Sequence, residues 1–168
     1  LCTKREEWNL CLRAAHVNHG IRGVEAEEDA SFVRSVCARW NVELDEIVLV
    51  PPRDHADEAW ARAERYAFLE QCAKKHHARV ATAHTRSDQA ETVLLNLARG
   101  SAVKGAAGIP PVRGFFVRPL LEVSREEVLD YLERKELPYR TDSTNLDCNY
   151  TRNAIRWEVL PALERARP

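Results

Sequence analysis

This sequence has no apolar run that approaches the roughly 20 residues of a membrane-spanning helix. Its first residues, LCTKREEW, carry too many charges for a signal peptide. The 25 basic and 26 acidic residues nearly balance, which excludes a generally basic nucleic-acid coat, although a local basic patch would not change the total. At 168 residues, the chain is long enough for one globular domain with a real core.

Cysteine is sparse and irregularly placed. The 5 cysteines are widely spaced, and no CxxC pair occurs among them. An odd number at wide spacing argues against a disulfide framework, a zinc site and a cysteine-ligated cluster. The pattern is typical of a protein in a reducing compartment, so we expect a cytoplasmic location.

The sequence also lacks features that would mark its start or a familiar nucleotide site. There is no initiator methionine, and Leu1 opens within what resembles the end of a helix, so we expect a fragment of a longer protein or a processed product. Neither the Walker lysine motif nor GxGxxG occurs. A nucleotide that binds here would therefore need another kind of turn.

What the sequence does contain is an alternation of strand-like and helical patterns. This alternation predicts an α/β fold with a doubly wound parallel sheet. The turns at Asn18–Gly23 and His84–Asp88 each follow an expected strand, and ligands of such sheets bind at the carboxyl ends of strands. From the residues alone, we expect an α/β nucleotide-binding domain. The strand-like segments lie at 10–17, 42–50, 80–83 and 115–121.

The stretch Val80–Gly100 organises the rest of the chain. A short strand leads into a polar turn and then into a helix for which Asp88 is a candidate N-cap, with Glu91 at capping-box spacing. One interpretation is that Asp88 only caps the helix, with Gln89 and Glu91 as solvated first-turn residues. The other is that the Asp88 carboxylate, beside His84 and a helix N-terminus, holds Mg²⁺ or helps to place a nucleotide phosphate. Taken alone, the capping interpretation is the better supported.

Residues 99–121 contain no aspartate or glutamate. Basic side chains in this acid-free segment would attract phosphate groups. A flexible solvated loop is the alternative, and the residues alone leave both open. The basic residues of the segment are Arg99, Lys104, Arg113 and Arg118.

Six blocks of the sequence stand in the order and at the approximate spacing of a known family. They are AAHVNHGIRG (14–23), EAWARAERYAFL (58–69), TAHTRSDQAETVLLNLARGS (82–101), GIPP (108–111), RPLLEVSREEV (118–128) and LPYRTDSTNLDCNYTRNAIRWEVLP (137–161). On these blocks the chain resembles the tRNA(Ile)-lysidine synthases, within the PP-loop ATP pyrophosphatases. One block would be a weak sign, but six in register over nearly the whole chain are specific.

The resemblance implies an ATP- and Mg²⁺-dependent ligase of tRNA processing. ATP adenylates C2 of the wobble cytidine (position 34) of a tRNA(Ile) with a CAU anticodon, and the ε-amino group of free lysine then displaces AMP to give lysidine. Adenylation is needed because the cytosine oxygen is a poor leaving group. The alternatives are another PP-loop tRNA-modifying enzyme of the 2-thiolation type, or a non-catalytic remnant that binds tRNA or nucleotide. We expect no membrane partner, and a homodimer stays open.

The resemblance also assigns site residues, position by position. The catalytic set is Asp88, Arg62 and Arg152, with Asp88 as part of a Mg²⁺ site. The ATP-binding set is Val17, Asn18, His19, Gly20, His84, Arg99 and Gly100. Weaker candidates for contacts with tRNA or phosphate are Arg22, Lys104, Arg113 and Arg118.

The chain departs from the family pattern in two ways. The SGGxDS loop, which binds pyrophosphate and should precede the first strand seen here, is absent. Within the HxxDDQ block, Ser87 replaces the first aspartate and Thr85 a histidine, while Ala102 replaces an expected glycine. The family's mechanism can tolerate the substitutions at Ser87 and Ala102. It cannot tolerate the loss of the PP-loop.

The missing segment also carries a strand, which in this superfamily lies between the strands of Val17 and Val80. We therefore expect residues 1–168 to form one partial catalytic domain that lacks its first strand and PP-loop, with 141–168 as its C-terminal helical end. The loss would leave two buried strand edges unpaired. We expect the chain alone to be poorly stable or rearranged.

Overall fold

The computed structural model describes residues 1–20, 23–52, 58–101, 106–141 and 151–166. The chain divides into two compact units, residues 1–80 and residues 81–168. Both units combine helices with short strands, which confirms the α/β class. None of the helices that the described residues form is long and apolar enough to cross a membrane.

The first unit is built around a strand–helix–strand crossover. Strands β1 and β2 are parallel and pair in register from Arg13 with Glu43 to Asn18 with Val48. Helix α1 makes the long connection that parallel strands require. Its residues Ala30 and Cys37, two turns apart on one helix face, are buried. After a short 3₁₀ turn at Cys2–Lys4, the elements are β1 (Arg13–Asn18), α1 (Val24–Trp40), β2 (Glu43–Val48) and α2 (Glu58–Lys75).

The second unit contains a small sheet of order β3-β5-β4 and the remaining helices. Strands β4 and β5 form an antiparallel hairpin, and Gly114 in its turn has φ +56°, a conformation that favours glycine. The strand predicted at 115–121 is therefore shorter than expected, and its partner β4 was not predicted. The elements are β3 (Val80–Ala81), α3 (Arg86–Ala98), β4 (Val112–Arg113), β5 (Phe116–Val117), α4 (Arg125–Arg134), α5 (Thr151–Ala154), a π-turn (Ile155–Val159) and α6 (Leu160–Ala166).

Helix α4 begins where its sequence signature predicts. Ser124 is the N-cap, and its hydroxyl oxygen accepts a hydrogen bond from Glu127 N at 3.1 Å. The Glu127 carboxylate accepts one from Ser124 N at 2.7 Å. These reciprocal bonds satisfy two backbone donors that a helix start leaves open, so the S-x-x-E pattern of the sequence forms a capping box.

Asp45 of β2 joins three parts of the first unit. Its carboxylate accepts hydrogen bonds from Lys75 at the end of α2, at 2.9 Å, and from Arg13 of β1, at 3.2 Å. His76 Nε2 lies 2.9 Å from the same carboxylate. The Asp45 side chain is 13% exposed, so these charges are screened less than surface pairs. The hydrogen bond from Lys75, helped by those from His76 and Arg13, holds the pKa of Asp45 far below its ordinary value.

Asp45→Asn should lower the stability of the first unit at neutral pH by about 1–3 kcal/mol, because the hydrogen-bond donors of Lys75 and Arg13 lose a charged acceptor. The folded-state pKa lies below the unfolded value, so this stabilisation is complete above about pH 4 and is lost as the pH falls further. Thermal unfolding at pH 7 should therefore separate the two proteins by several °C, and the gap should narrow in acid. Glu43→Gln, which removes an exposed carboxylate from the same Arg13, is the control and should change little. A gap that is constant from pH 7 to pH 3 would contradict this role.

Candidate functional site

The N-terminus of α3 starts one turn earlier than the sequence suggested. Thr85 is the N-cap, with extended backbone angles (φ −103°, ψ 176°), and the helix begins at Arg86. Asp88 occupies the third helical position, where its Oδ2 accepts hydrogen bonds from Thr85 N at 2.8 Å and from the Thr85 hydroxyl at 2.9 Å. The prediction of Asp88 as N-cap with Glu91 as its box partner is therefore wrong. The capping box is Thr85 with Asp88.

Glu91 is completely buried, at 0% exposure, and is not the solvated first-turn residue that was predicted. Its carboxylate lies between two arginines of the last helical segment. Arg152 Nε donates to Oε2 at 2.7 Å. Arg156 donates through Nε to Oε1 at 2.6 Å and through Nη2 to Oε2 at 3.1 Å. Two guanidinium groups thus compensate one buried carboxylate, which is the arrangement that a buried charge requires.

Arg152 also connects this buried group to the helix cap. Its Nη2 lies 3.4 Å from Asp88 Oδ1, so one guanidinium faces the carboxylates of Asp88 and Glu91. The Arg152 and Asp88 side chains are 30% and 25% exposed, whereas Glu91 is closed off from solvent. We call Asp88, Glu91, Arg152 and Arg156 the charge cluster. Its two cations and two anions balance, and its Asp88–Arg152 edge is open to solvent.

An unusual helical segment positions the two arginines. Arg152 lies in α5, and Arg156 lies four residues later in the π-turn Ile155–Val159, so both reach the same carboxylate. π-turns widen a helix locally and occur often at functional sites. Pro161 follows as the second residue of α6, which directly continues the π-turn, and the helix runs on past this residue to Ala166. Pro161 has no N–H, so it donates no backbone hydrogen bond there.

The other predicted residues of the second unit make contacts outside this cluster or are exposed. His84 Nδ1 lies 2.9 Å from the hydroxyl of Thr82. Arg99 and Gly100 are exposed at the end of α3, and Gly100 has φ +76°. Arg113 is exposed, and Arg118 is 7% exposed with its Nη1 donating to the Pro110 carbonyl at 2.6 Å. Lys104 lies outside the described residues.

The predicted adenosine-pocket residues of the first unit form a tight turn at the carboxyl end of β1. Asn18 is 7% exposed, and its Oδ1 accepts a hydrogen bond from Gly20 N at 2.9 Å. Gly20 has φ +68°, and a Cβ at this position would lie 2.6 Å from the Leu49 carbonyl oxygen. Only glycine fits there, so the backbone of this turn is fixed. Val17 and His19 flank Asn18, and Arg22 lies outside the described residues.

Arg62 is exposed on α2 of the first unit. Its guanidinium carbon lies 5.1 Å from the centre of the Tyr66 ring, and that of Arg65 lies 5.9 Å from the same ring. These distances are typical of cation–π contacts. The structure thus brings Asp88 and Arg152 together, as the assigned roles require, and shows Arg62 within a different cluster.

The residues at the cluster do not by themselves suit Mg²⁺. In the part of the chain that the structure describes, no group of three or more His, Cys, Asp or Glu side chains could hold a metal ion. Asp88 Oδ2 accepts from Thr85, and Oδ1 faces Arg152. Mg²⁺ prefers an octahedral set of oxygens, often from carboxylates together with substrate phosphates. We therefore derive no step through the metal, and the Mg²⁺ contact of Asp88 stays a prediction.

Glu91 and Arg156 are the cluster residues that the sequence analysis missed. Both lie inside the blocks that carry the family resemblance. A signal was present in the spacing, because Arg152 and Arg156 stand four residues apart and so share one face of a helix. Two arginines on one packed face require a nearby acid.

Glu91→Gln should destabilise the second unit by about 3–5 kcal/mol, because it removes the buried carboxylate that two partly buried guanidinium groups share. Urea denaturation should detect this as a lower midpoint with an unchanged slope. Asp130→Asn is the matched control, since Asp130 and Arg134 form an exposed pair on α4, at 64% and 68% exposure.

Adding Arg156→Met to the Glu91→Gln variant should recover part of the loss, because it removes one of the two guanidinium charges that Glu91 compensates. Strictly additive losses in the double variant would show that Glu91 and Arg156 do not act on each other.

Comparison with known proteins places this geometry in a family context. The model of the PP-loop domain family matches residues 1–163. The chain is 35% identical to the tRNA(Ile)-lysidine synthase of Clostridium tetani over 167 residues, which are 95% of this chain and 36% of the relative. It is 44% identical to that of Symbiobacterium thermophilum over 165 residues, which are 93% of this chain and 34% of the relative. The chain thus spans about a third of the length of these curated relatives.

A solved structure shares the fold. The U34-tRNA thiolase NcsA from Methanococcus maripaludis, solved with its 4Fe–4S cluster, superposes with a TM-score of 0.74. The superposition covers 98% of this chain and 60% of that chain, at 21% sequence identity. At this identity the similarity concerns the fold alone, and it confirms the α/β architecture expected from the sequence.

Proposed function

Because this chain belongs to the PP-loop domain family, we propose that it forms part of the catalytic domain of a tRNA(Ile)-lysidine synthase. The observation that carries the proposal is the pairing of Arg152 with Asp88, two residues assigned to the reaction that stand 64 positions apart in the chain. The identity of 35–44% to the lysidine synthases over most of the chain supports it. In the proposed reaction, ATP and L-lysine act on tRNA(Ile) with a CAU anticodon.

The proposed chemistry has two steps. First, the O2 atom of the wobble cytosine attacks the α-phosphorus of ATP, and pyrophosphate leaves. The lysine ε-amino nitrogen then attacks C2, the C2–O2 bond breaks, AMP departs with that oxygen, and the amine loses a proton. Both steps place negative charge on phosphate oxygens, so fixed cations next to them lower the barrier.

The charge cluster suits the stabilisation of such charge. Glu91 binds Nε of Arg152, and Asp88 faces Nη2, so the guanidinium is oriented before any ligand arrives. In the described part of the chain, Nη1 of Arg152 makes no hydrogen bond, which leaves this donor for a phosphate oxygen. A preorganised donor stabilises a transition state without reorganisation during the reaction. We therefore assign Arg152 to phosphate contact and Asp88 to the placement of Arg152.

The remaining assignments follow the resemblance. We propose that the fixed turn of Asn18 and Gly20, together with Val17 and His19, belongs to the ATP site. His84, Arg99 and Gly100 are proposed for the same ligand, Arg62 for the reacting nucleotide, and Arg22, Lys104 and Arg113 for tRNA. We also propose that residues 1–168 form one catalytic domain with 141–168 as its helical end, which the family match over 1–163 supports.

A 2-thiolation enzyme is the second candidate. The fold that the chain shares with a U34-tRNA thiolase supports it. That thiolase carries a 4Fe–4S cluster, whereas this sequence has no CxxC pair. The lysidine synthase proposal is therefore preferred, and a non-catalytic nucleotide- or tRNA-binding protein is the third candidate.

The deciding experiment measures AMP release by the native protein with ATP, Mg²⁺, CAU-anticodon tRNA(Ile) and L-lysine. Release coupled to incorporation of labelled lysine into the tRNA is expected. Modification of the tRNA that needs a sulfur donor instead of lysine would favour the thiolation candidate. Binding of tRNA without turnover would favour the third.

Asp88→Asn in the native protein should reduce AMP release by about 100-fold or more, a typical loss when one preorganised electrostatic group is removed. The affinity for tRNA should stay nearly unchanged, because tRNA is a large polyanion and Asp88 is only a small part of the protein surface that would contact it. Glu122→Gln, at an exposed carboxylate of the same unit, serves as control. Turnover of the Asp88→Asn variant at the wild-type rate would remove Asp88 from the mechanism.

A further inference from the structure

The side chain of Gln89, the residue after Asp88, holds a segment of loop by two hydrogen bonds. Gln89 follows Asp88 in the first turn of α3. Its Oε1 accepts a hydrogen bond from Ile109 N at 2.6 Å, and its Nε2 donates to the Ile109 carbonyl at 3.3 Å. One carboxamide thus satisfies both backbone polar groups of a single loop residue.

Gly108 makes this close approach possible. Its φ is +62°, and a Cβ built on it would lie 2.7 Å from Gln89 Oε1 and 2.8 Å from Nε2. A side chain at this position would have to push the carboxamide away and would also strain the backbone. Gly108 and Gln89 are therefore matched to one another.

The other end of the same segment is fixed by Arg118. Its Nη1 donates to the Pro110 carbonyl at 2.6 Å, and its backbone N donates to the Pro111 carbonyl at 2.9 Å. Neither proline has an N–H to satisfy. Every backbone donor and acceptor from Ile109 to Pro111 therefore has a partner, and two proline rings restrict φ. We therefore expect the Gly108–Pro111 segment to be more rigid than surface loops usually are.

We propose that Gln89 is a positioning residue that holds the Gly108–Pro111 segment as an apolar wall of the nucleotide site beside Asp88 and Arg152. The inference rests on the proposed function, because it takes the ligand at Arg152 to be a nucleotide. Ile109, Pro110 and Pro111 offer apolar surface, and the charge cluster offers an open donor. A nucleotide combines a flat, largely apolar base with a phosphate, so it matches both features.

The nucleotide that contacts this wall is either ATP or the wobble nucleotide of the tRNA. The test measures equilibrium dissociation constants for ATP and for tRNA(Ile) separately, so that no turnover is needed. It uses the native protein with Gln89→Met, which keeps the side-chain length and removes both hydrogen bonds. Gly108→Ala is a second, independent way to disturb the same contact. Thr92→Val is the matched control, since Thr92 of α3 donates to the Asp88 carbonyl at 2.8 Å and does not hold the loop.

Backbone amide exchange reports the contact itself. Because the prolines carry no amide hydrogen, a peptide that covers 108–111 has N–H groups only at Gly108 and Ile109. Loss of the bond to Gln89 should speed exchange at Ile109 by about tenfold in Gln89→Met. Thr92→Val should leave it unchanged. Exchange that is equally slow in Gln89→Met would overturn the proposed contact.

The binding measurements report the role of the contact. For Gln89→Met and Gly108→Ala, we expect the dissociation constant of either ATP or tRNA to rise by about tenfold, which identifies the nucleotide that meets the wall. A merely structural role would lower the folded fraction and leave both constants of the folded protein unchanged, and that result would overturn the proposal. Absence of AMP release from the wild type would refute the proposed function alone, because the two constants still decide this inference. A wild type that binds neither ligand would refute both.

Discussion

The fully buried carboxylate of Glu91 is the interaction on which the candidate site depends. Two guanidinium groups could not lie this close on one helical face without an anion between them, and a lone buried carboxylate would be as costly. Each charge is acceptable only because the others are present. The same ion pairs therefore pack the last helical segment on α3 and orient Arg152. The site cannot form unless the second unit is folded.

Local sequence signals identify a helix start correctly where only one capping pattern is present. The S-x-x-E pattern at Ser124 and Glu127 marks the start of α4 to the residue, because both partners lie within four positions and no competing cap is near. At α3 two such patterns overlap, T-x-x-D at Thr85 and D-x-x-E at Asp88. Both satisfy the spacing, and the sequence alone does not decide between them. The choice of Thr85 frees Glu91 from the cap and places it on the inward side of the helix.

Features that depend on distant partners were beyond a pattern of residues. Strands β3, β4 and β5 are two residues long, too short for an alternation to appear, and they exist through pairing with one another. The burial of Glu91 requires arginines 61 and 65 positions away. The family resemblance assigned roles to Asp88 and Arg152 but none to Glu91 or Arg156. Their roles follow only from knowing which side chains touch.

In the proposed function, the cluster presents the Arg152 cation to a phosphate without a large desolvation cost. If Arg152 stood alone, it would be mobile and strongly hydrated, and a ligand would have to order it at the moment of binding. Paired fully with one carboxylate, its charge would be neutralised. Here Glu91 is shared with Arg156, and Asp88 divides its charge between Arg152 and the helix cap, so neither anion neutralises Arg152 completely. Arg152 is thereby fixed in place and still attractive to an anion, which is the combination that phosphoryl chemistry needs.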